Sequence, residues 1–227
     1  MSPRKAAALR GDDGQDLRQH LIATAARLIG ERGSAGLAVR DIAREARVAD
    51  GVLYNYFEDK DDLLARALLA YVAEIMADRA AIPRAGAGPV AENLRVFIES
   101  GMATLARVAP AFAGLMSQPG VLIRFHAMVG GDTAFGAGAP DSSQPDDQDS
   151  HQRGLPDILR VYLRAEQREG RVDVGADVEA AVALVVGVIH GEILPRVLFS
   201  RPGTQVTAPP GLASRVADTI LSGIAPR

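Results

Sequence analysis

The chain has 227 residues, of which 48% are hydrophobic and 23% are charged, and its formal net charge at pH 7 is −3. This length accommodates one large or two small domains with a buried core. The absence of cysteine excludes disulfides, zinc fingers and thiol sensing. The N-terminal residues lack the apolar core of a signal peptide, and no apolar run is expected to be long enough to cross a bilayer. These features predict a cytoplasmic globular protein.

The N-terminal part of the chain contains a short irregular segment followed by a helix. Residues 1–15 combine alanine, glycine and charge without periodicity, so they are predicted to form a disordered arm. From Leu17 to Arg32 the apolar residues recur at helical spacing, and Gly33 is placed to end this helix.

Residues 38–57, with the sequence AVRDIAREARVADGVLYNYF, are the most informative part of the chain. Helical spacing predicts a first helix at 39–46, with small and branched apolar residues on one face. A tight turn and a second short helix, beginning near Ala49 or Asp50, are predicted to follow. This is the outline of a helix-turn-helix, whose second helix can enter a major groove about 12 Å wide.

The segment DIAREARVADGVLYNYFEDKDDLL resembles the N-terminal domain of TetR-family transcriptional regulators. The matching positions are Asp41, Ile42, Ala43, Glu45, Ala46, Val48, Gly51, Leu53, Tyr54, Tyr56, Phe57, Lys60 and Leu63. The resemblance implies an all-α fold. It places a three-helix helix-turn-helix DNA-binding domain at residues 16–62 and a helical effector-binding and dimerisation domain at residues 63–227.

Three positions depart from the family pattern. Arg47 stands where the turn usually carries glycine, so positive φ is expected to cost about 1 kcal/mol there. Asp50 stands where lysine or arginine is frequent, and it could either cap the reading helix or accept a hydrogen bond from a cytosine amino group. Ala38 stands where threonine commonly caps the first helix, so that cap is lost.

The DNA-binding surface is predicted from the exposed positions of the motif. The predicted set is Arg40, Arg47, Ala49, Asp50, Gly51, Val52, Tyr54, Asn55, Tyr56 and Lys60. The arginines, tyrosines and lysine are expected to position phosphates, whereas Asp50, Val52 and Asn55 are expected to touch base edges. Charge gives weak support, because residues 1–80 carry 12 basic against 13 acidic residues.

The remainder of the chain is predicted to be helical around one polar loop. Helices are predicted at 61–79, at 89–107 with Pro110 as its break, around 121–128, at 155–169, at 177–194, and from about Leu212 onward. Residues 130–154 are rich in Gly, Ser, Pro and Asp and are predicted to form a flexible acidic loop. No strand pattern and no internal repeat is present.

Two further sets of residues are hypotheses about binding in the C-terminal part. A small apolar effector could contact Phe97, Met102, Leu105, Phe112, Met116, Phe125, His126 and Met128, although such residues are more often plain core. A homodimer could form through Val182, Val186, Ile189, His190, Ile193, Leu212, Val216 and Ile220, although these faces could equally fill the monomer's own core. In TetR-like proteins the two last long helices build the dimer's four-helix bundle.

The function predicted from these features is that of a homodimeric repressor, released from palindromic double-stranded DNA by a small-molecule effector. No catalytic or metal-binding motif is present, so neither an enzyme nor a cofactor is expected. Two alternatives remain open. The chain could be a helical carrier or enzyme with a vestigial DNA-binding head, or an activator controlled by a protein partner.

Overall fold

The computed structural model describes residues 13–34, 36–79, 83–129, 154–201 and 204–224. Its α-helices are α1 (Asp13–Arg32), α2 (Val39–Ala46), α3 (Lys60–Ala77), α4 (Val90–Leu115), α5 (Pro119–Met128), α6 (Leu155–Arg168), α7 (Val178–Phe199) and α8 (Leu212–Ile224). A 3₁₀ helix occupies Asp50–Asn55. The described residues contain no strand, which confirms the all-α prediction. Most of the predicted arm, and the predicted loop apart from Gly154, lie outside the described residues.

The helix bounds differ from prediction in two informative places. Helix α1 begins at Asp13, ahead of the start expected at Leu17. Helix α4 continues through Pro110, where a break was predicted. Proline removes one intrahelical hydrogen bond. Ala111 and Leu115 just beyond it are 2% and 0% exposed, so their packing sustains the helix.

The described chain divides into two compact units, and the first comprises the described residues of Met1–Glu74 and Pro110–Gly131. Its core includes Leu21, Leu28, Ile42, Leu53, Leu64, Val121 and Phe125. Phe112 and Phe125 pack edge to face with ring centroids 5.2 Å apart. The Ser34 hydroxyl donates a hydrogen bond to the Ala111 carbonyl oxygen at 2.6 Å. Helix α5 therefore belongs to the same core as the helix-turn-helix.

The predicted domain boundary between residues 62 and 63 falls inside α3. Leu64 and Leu68, which follow it, are fully buried in the core of the first unit. The unit limits lie instead between Glu74 and Ile75 and between Ala109 and Pro110. Sequence periodicity could not locate these limits, because α3 and α4 are continuous helices at both points.

The second unit comprises the described residues of Ile75–Ala109 and Asp132–Arg227. Its core includes Leu94, Phe97, Ile98, Leu159, Leu163, Val185, Ile189 and Ala217. A Cβ atom added at Gly101 of α4 would lie 2.6 Å from both the Ile189 Cδ1 and the Leu155 Cδ2 atoms. Gly101 therefore permits the close approach of α4 to its neighbours in this unit.

A buried polar network connects α4 and α6 within the second unit. The Glu166 side chain is 0% exposed, and its carboxylate accepts two hydrogen bonds of 2.7 Å from the Arg171 guanidinium. Arg171 also donates to the Gly88 carbonyl oxygen at 2.9 Å. The Asn93 amide donates to the Tyr162 hydroxyl at 2.9 Å, and burial raises the pKa of that hydroxyl. The buried carboxylate is thus paired, as a buried charge must be.

The expectation that no apolar run is long enough to cross a bilayer is wrong, because two helices have the length and composition of a membrane span. Helices α4 and α7 are long enough and have mean hydropathies of 1.2 and 1.8 over their most apolar windows. Phe97 and Ile98 of α4 and Val185 and Ile189 of α7 lie in the second core. A core helix of a soluble protein has the same apolar character, so these helices are weak evidence for a membrane.

Candidate DNA-binding surface

The first helix of the motif, α2, begins without a side-chain cap. Its N-cap residue is Ala38, whose side chain makes no capping hydrogen bond. The Asp41 carboxylate accepts a hydrogen bond from the Ala38 amide at 3.3 Å, which is the other half of a capping box. The missing threonine is therefore only partly compensated.

The turn after α2 places Arg47 in the left-handed region, at φ 58° and ψ 40°. Arg47 is the only non-glycine residue with positive φ among the described residues. Its amide donates to the carbonyl oxygens of Ala43 and Arg44, and the Val48 amide donates to the Ala43 oxygen at 3.0 Å. The turn that separates the two motif helices therefore forms at a position better suited to glycine, as predicted.

Replacing Arg47 by glycine is expected to raise the free energy of unfolding by about 0.5 to 1 kcal/mol, because glycine adopts this conformation without strain. The same change is expected to weaken DNA binding several-fold, since it removes an exposed positive charge. Arg47→Ala is the control: it removes the charge and keeps the strain. Urea unfolding and DNA titration of both variants would measure the two effects, and equal stability of the glycine variant and wild type would contradict the strain.

The second motif helix is a 3₁₀ helix rather than an α-helix. We call Asp50–Asn55 the reading helix. Leu53 and Phe57 are 2% and 4% exposed and anchor this segment in the first core. Asp50, Tyr54 and Asn55 are consequently exposed, whereas Val52 and Tyr56 are partly buried. Ala49 and Gly51 are also exposed. Of the three positions predicted to touch base edges, Asp50 and Asn55 are thus exposed and Val52 is partly buried.

The structure favours one of the two roles considered for Asp50. The N-cap of the reading helix is Ala49, and no side chain caps it. Its turn is closed by the backbone, with the Val52 amide donating to the Ala49 oxygen at 2.9 Å. Within the described residues the Asp50 carboxylate has no hydrogen-bond partner. It is therefore available to accept a hydrogen bond from a base.

The basic residues around the motif fall into paired and unpaired groups. Arg27 binds Glu31 and Glu45 at 2.7 and 2.6 Å, and Arg44 binds Asp41 at 2.9 Å. Arg40 and Arg47 are exposed, and among the described residues neither has a carboxylate partner. Lys60 is partly buried at the start of α3. The two arginines are therefore free to bind phosphate.

Sequence reasoning missed two basic residues near this surface. The Arg18 guanidinium of α1 lies 5.5 Å from the centre of the Phe57 ring, within the range of a cation–π contact. Arg124 of α5 binds Glu58 and Asp59 beside the reading helix. No local pattern could have identified Arg124, because 65 residues separate it from Asp59.

The predicted effector residues are divided between the two units. Phe97 and Met102 are buried in the second core and Leu105 packs against it, whereas Phe112, Phe125 and Met128 belong to or pack against the first core. Met116 is 71% exposed, and His126 is exposed. The set therefore does not form one cluster within either unit.

The predicted dimer residues are mostly inward-facing. Val182, Ile189, Ile193 and Ile220 lie in the core of the second unit. Val186, Leu212 and Val216 are partly buried against that core, and His190 is exposed, with its Nδ1 atom 2.8 Å from the Val186 carbonyl oxygen. Periodicity alone did not separate the two faces of α7, because both are apolar. The opposite face carries Ala180, Leu184, Gly187, Gly191 and Leu198, which are all exposed, and we call it the outer face of α7.

Comparison with known proteins identifies relatives of the N-terminal region. The family model described as bacterial regulatory proteins, tetR family, matches residues 21–67. The HTH-type transcriptional regulator HbdR of Aromatoleum sp. (strain CIB) is 42% identical over 50 residues, which are 22% of this chain and 22% of HbdR. The HTH-type transcriptional repressor DhaR of Mycobacterium sp. (strain GP1) is 36% identical over 59 residues, which are 26% of this chain and 30% of DhaR. The chain thus spans less than a third of the length of each.

The fold comparison extends over nearly the whole chain. A TetR transcriptional regulator from Chloroflexus aurantiacus J-10-FL has a similar structure, with a TM-score of 0.60 and 18% sequence identity, covering 96% of this chain and 100% of that one. At this identity the similarity shows a shared fold. Residues 21–67 therefore match the tetR family of bacterial regulatory proteins in sequence, and nearly the whole chain shares its fold with a TetR transcriptional regulator.

Proposed function

We propose that this protein is a cytoplasmic, sequence-specific DNA-binding regulator that represses transcription and leaves its operator when a small apolar ligand binds. The observation that supports this most is the exposed surface of the reading helix. Leu53 and Phe57 anchor it in the core, while Asp50 and Asn55 are exposed. Arg40 and Arg47 are exposed as well, and neither has a carboxylate partner in the described part of the chain. A rigid scaffold that presents such groups is suited to reading a major groove.

The groups on this surface divide by chemistry into phosphate and base contacts. Arg40, Arg47 and Lys60 supply positive charge, and Tyr54 and Tyr56 supply hydroxyls, for phosphates. Asp50 is suited to accept from a cytosine amino group, and Asn55 to make two hydrogen bonds with adenine; Val52 offers an apolar contact to a thymine methyl. Specificity is proposed to rest on these three side chains.

The outer face of α7 supports a homodimer. Leu184 and Leu198 are 61% and 55% exposed. Cβ atoms added at Gly187 and Gly191 would meet nothing within 4 Å. An exposed apolar helix face with small residues suits close packing against a second copy. Two copies would present two reading helices about 34–36 Å apart to a palindromic operator.

The effector is proposed to be a small apolar molecule bound in the body of the protein. Phe and Met side chains adapt to apolar ligands, and Phe97 and Met102 are buried in the second unit. The ligand would act by binding more tightly to a dimer whose reading helices are wrongly spaced for the operator. DhaR, one of the relatives, carries the name of a repressor.

Sequencing of genomic fragments bound by the purified protein would test the proposal. A shared palindrome is expected. Binding that is purely nonspecific and salt-sensitive would favour a carrier or enzyme with a vestigial head. Gel shifts on the recovered fragments, with and without small-molecule or protein fractions of cell extract, would separate a metabolite effector from a protein partner.

Two substitutions test the assigned contacts on a library of operator variants. Asn55→Ala is expected to relax preference at a single base pair, with a loss of about 1 to 3 kcal/mol for the preferred base. Tyr56→Phe is expected to weaken binding evenly across the library, because it removes only a phosphate-binding hydroxyl and keeps the ring packed against the first core. An even loss for Asn55→Ala would show that Asn55 does not read a base.

A further inference from the structure

An acidic turn follows the reading helix directly. Glu58, Asp59, Asp61 and Asp62 surround Lys60, which is a proposed phosphate contact. The Glu58 and Asp59 side chains are 78% and 50% exposed. Carboxylates at this position repel an approaching phosphate, and only nearby positive charge offsets that repulsion.

Of the two carboxylates in the first turn of α3, one is paired within that helix and the other lies against the first turn of α5. Asp62 binds the Arg66 guanidinium at 2.7 Å and accepts from the Glu58 amide at 3.3 Å. Asp61 lies against Gly120, because a Cβ atom added there would be 2.2 Å from the Asp61 Oδ2 atom. The Asp62 side chain is therefore only 6% exposed, and Asp61 is partly buried.

The two exposed carboxylates are held by one residue of α5. Arg124 donates to the Glu58 Oε2 atom at 2.9 Å through one terminal nitrogen and to the Asp59 Oδ2 atom at 2.8 Å through the other. Val121 and Phe125 on the same helix are 0% and 4% exposed, so α5 is anchored in the first core. Asp59 also accepts from the Asp62 amide at 2.8 Å and caps α3. The guanidinium is therefore positioned by the fold at the two charges.

We infer that Arg124 is an electrostatic positioning residue for DNA binding, which neutralises Glu58 and Asp59 so that a phosphate can reach Lys60. This inference rests on the proposed function. Stabilisation of the fold is a weaker explanation, because exposed ion pairs of this kind contribute little to stability. Arg124 lies outside residues 21–67, the region that matches the family model.

The test compares charge variants in DNA titrations on the recovered palindrome. Arg124→Gln is expected to weaken binding about fivefold at about 50 mM salt, and less than about twofold at about 300 mM, because salt screens exposed charges. Arg124→Lys keeps the charge and is expected to keep most of the affinity. Arg164→Gln is the matched control, since Arg164 is an exposed arginine of the second unit that binds Glu179 at 3.0 Å.

The decisive variant is Glu58→Gln/Asp59→Asn, which removes both negative charges and keeps a side chain that can cap α3. It is expected to bind at least as tightly as wild type, and adding Arg124→Gln to it should change little. If both the double and the triple variant bind weakly, Arg124 acts as a structural tether; if only the triple variant binds weakly, Arg124 binds DNA itself. Either result would overturn the inference. Absence of any palindrome with the wild-type protein would overturn the proposed function as well, whereas wild-type affinity in Arg124→Gln would overturn this inference alone.

Discussion

Replacing Leu184 by glutamate is expected to convert the proposed homodimer into a monomer and to weaken binding to the proposed operator about a hundredfold. Leu184 is 61% exposed at the centre of the outer face of α7. Burying a carboxylate between two helices is costly without a partner, and a monomer loses the gain of binding two half-sites together, which is about 100-fold or more. Sedimentation at micromolar concentration and titration on the palindrome would measure the two losses.

The control for this change is Val161→Glu, on α6 of the same unit. Val161 is 51% exposed and lies outside the outer face of α7. This variant is expected to keep both the dimer and the operator affinity of wild type. A dimer that survives Leu184→Glu would show that the protein pairs through another surface.

Replacing Glu166 by alanine is expected to lower the free energy of unfolding by about 2 to 4 kcal/mol. The carboxylate is 0% exposed, and its removal leaves the Arg171 guanidinium without its two hydrogen bonds of 2.7 Å. The expected loss is smaller than for a fully buried ion pair, because the Arg171 side chain is 30% exposed and can form hydrogen bonds with water once Glu166 is removed. Urea unfolding of the full chain would measure it.

Glu169→Ala is the matched control, because Glu169 is three residues after Glu166 and its carboxylate also lies near the Arg171 guanidinium. The Glu169 side chain is 49% exposed and lies 3.8 Å from the guanidinium, so a loss below about 0.5 kcal/mol is expected. The double change Glu166→Met/Arg171→Met should lose less than Glu166→Ala, since it leaves no buried charge unpaired. Equal losses for Glu166→Ala and Glu169→Ala would contradict the role of the buried pair.

The helix-turn-helix could be predicted well from the sequence because its signals are local. Apolar spacing identified α2, and the turn after it was recognised at Arg47, which the structure places at φ 58°. The 3₁₀ character of the reading helix was not predicted. Its six residues are too few for a periodic pattern to separate the two helix types.

In the second part of the chain the sequence predicted the helices, but it did not show which of their faces are buried. On α7, Val182, Ile189 and Ile193 carry the same apolar signal as Leu184, yet only the packing shows that they face the core. A helix that is apolar all round gives no sequence signal for which face is covered. The burial of Glu166 was likewise invisible, because its partner Arg171 lies in the loop beyond α6.

The sequence by itself determined the helical class and the position of the motif, because helix periodicity and turn chemistry act over a few neighbouring residues. The tertiary structure alone decided which apolar faces are buried, where the two units divide, and that Arg124 neutralises Glu58 and Asp59 from 65 or more positions away. Such contacts depend on how distant helices pack, and no local pattern in the chain records them.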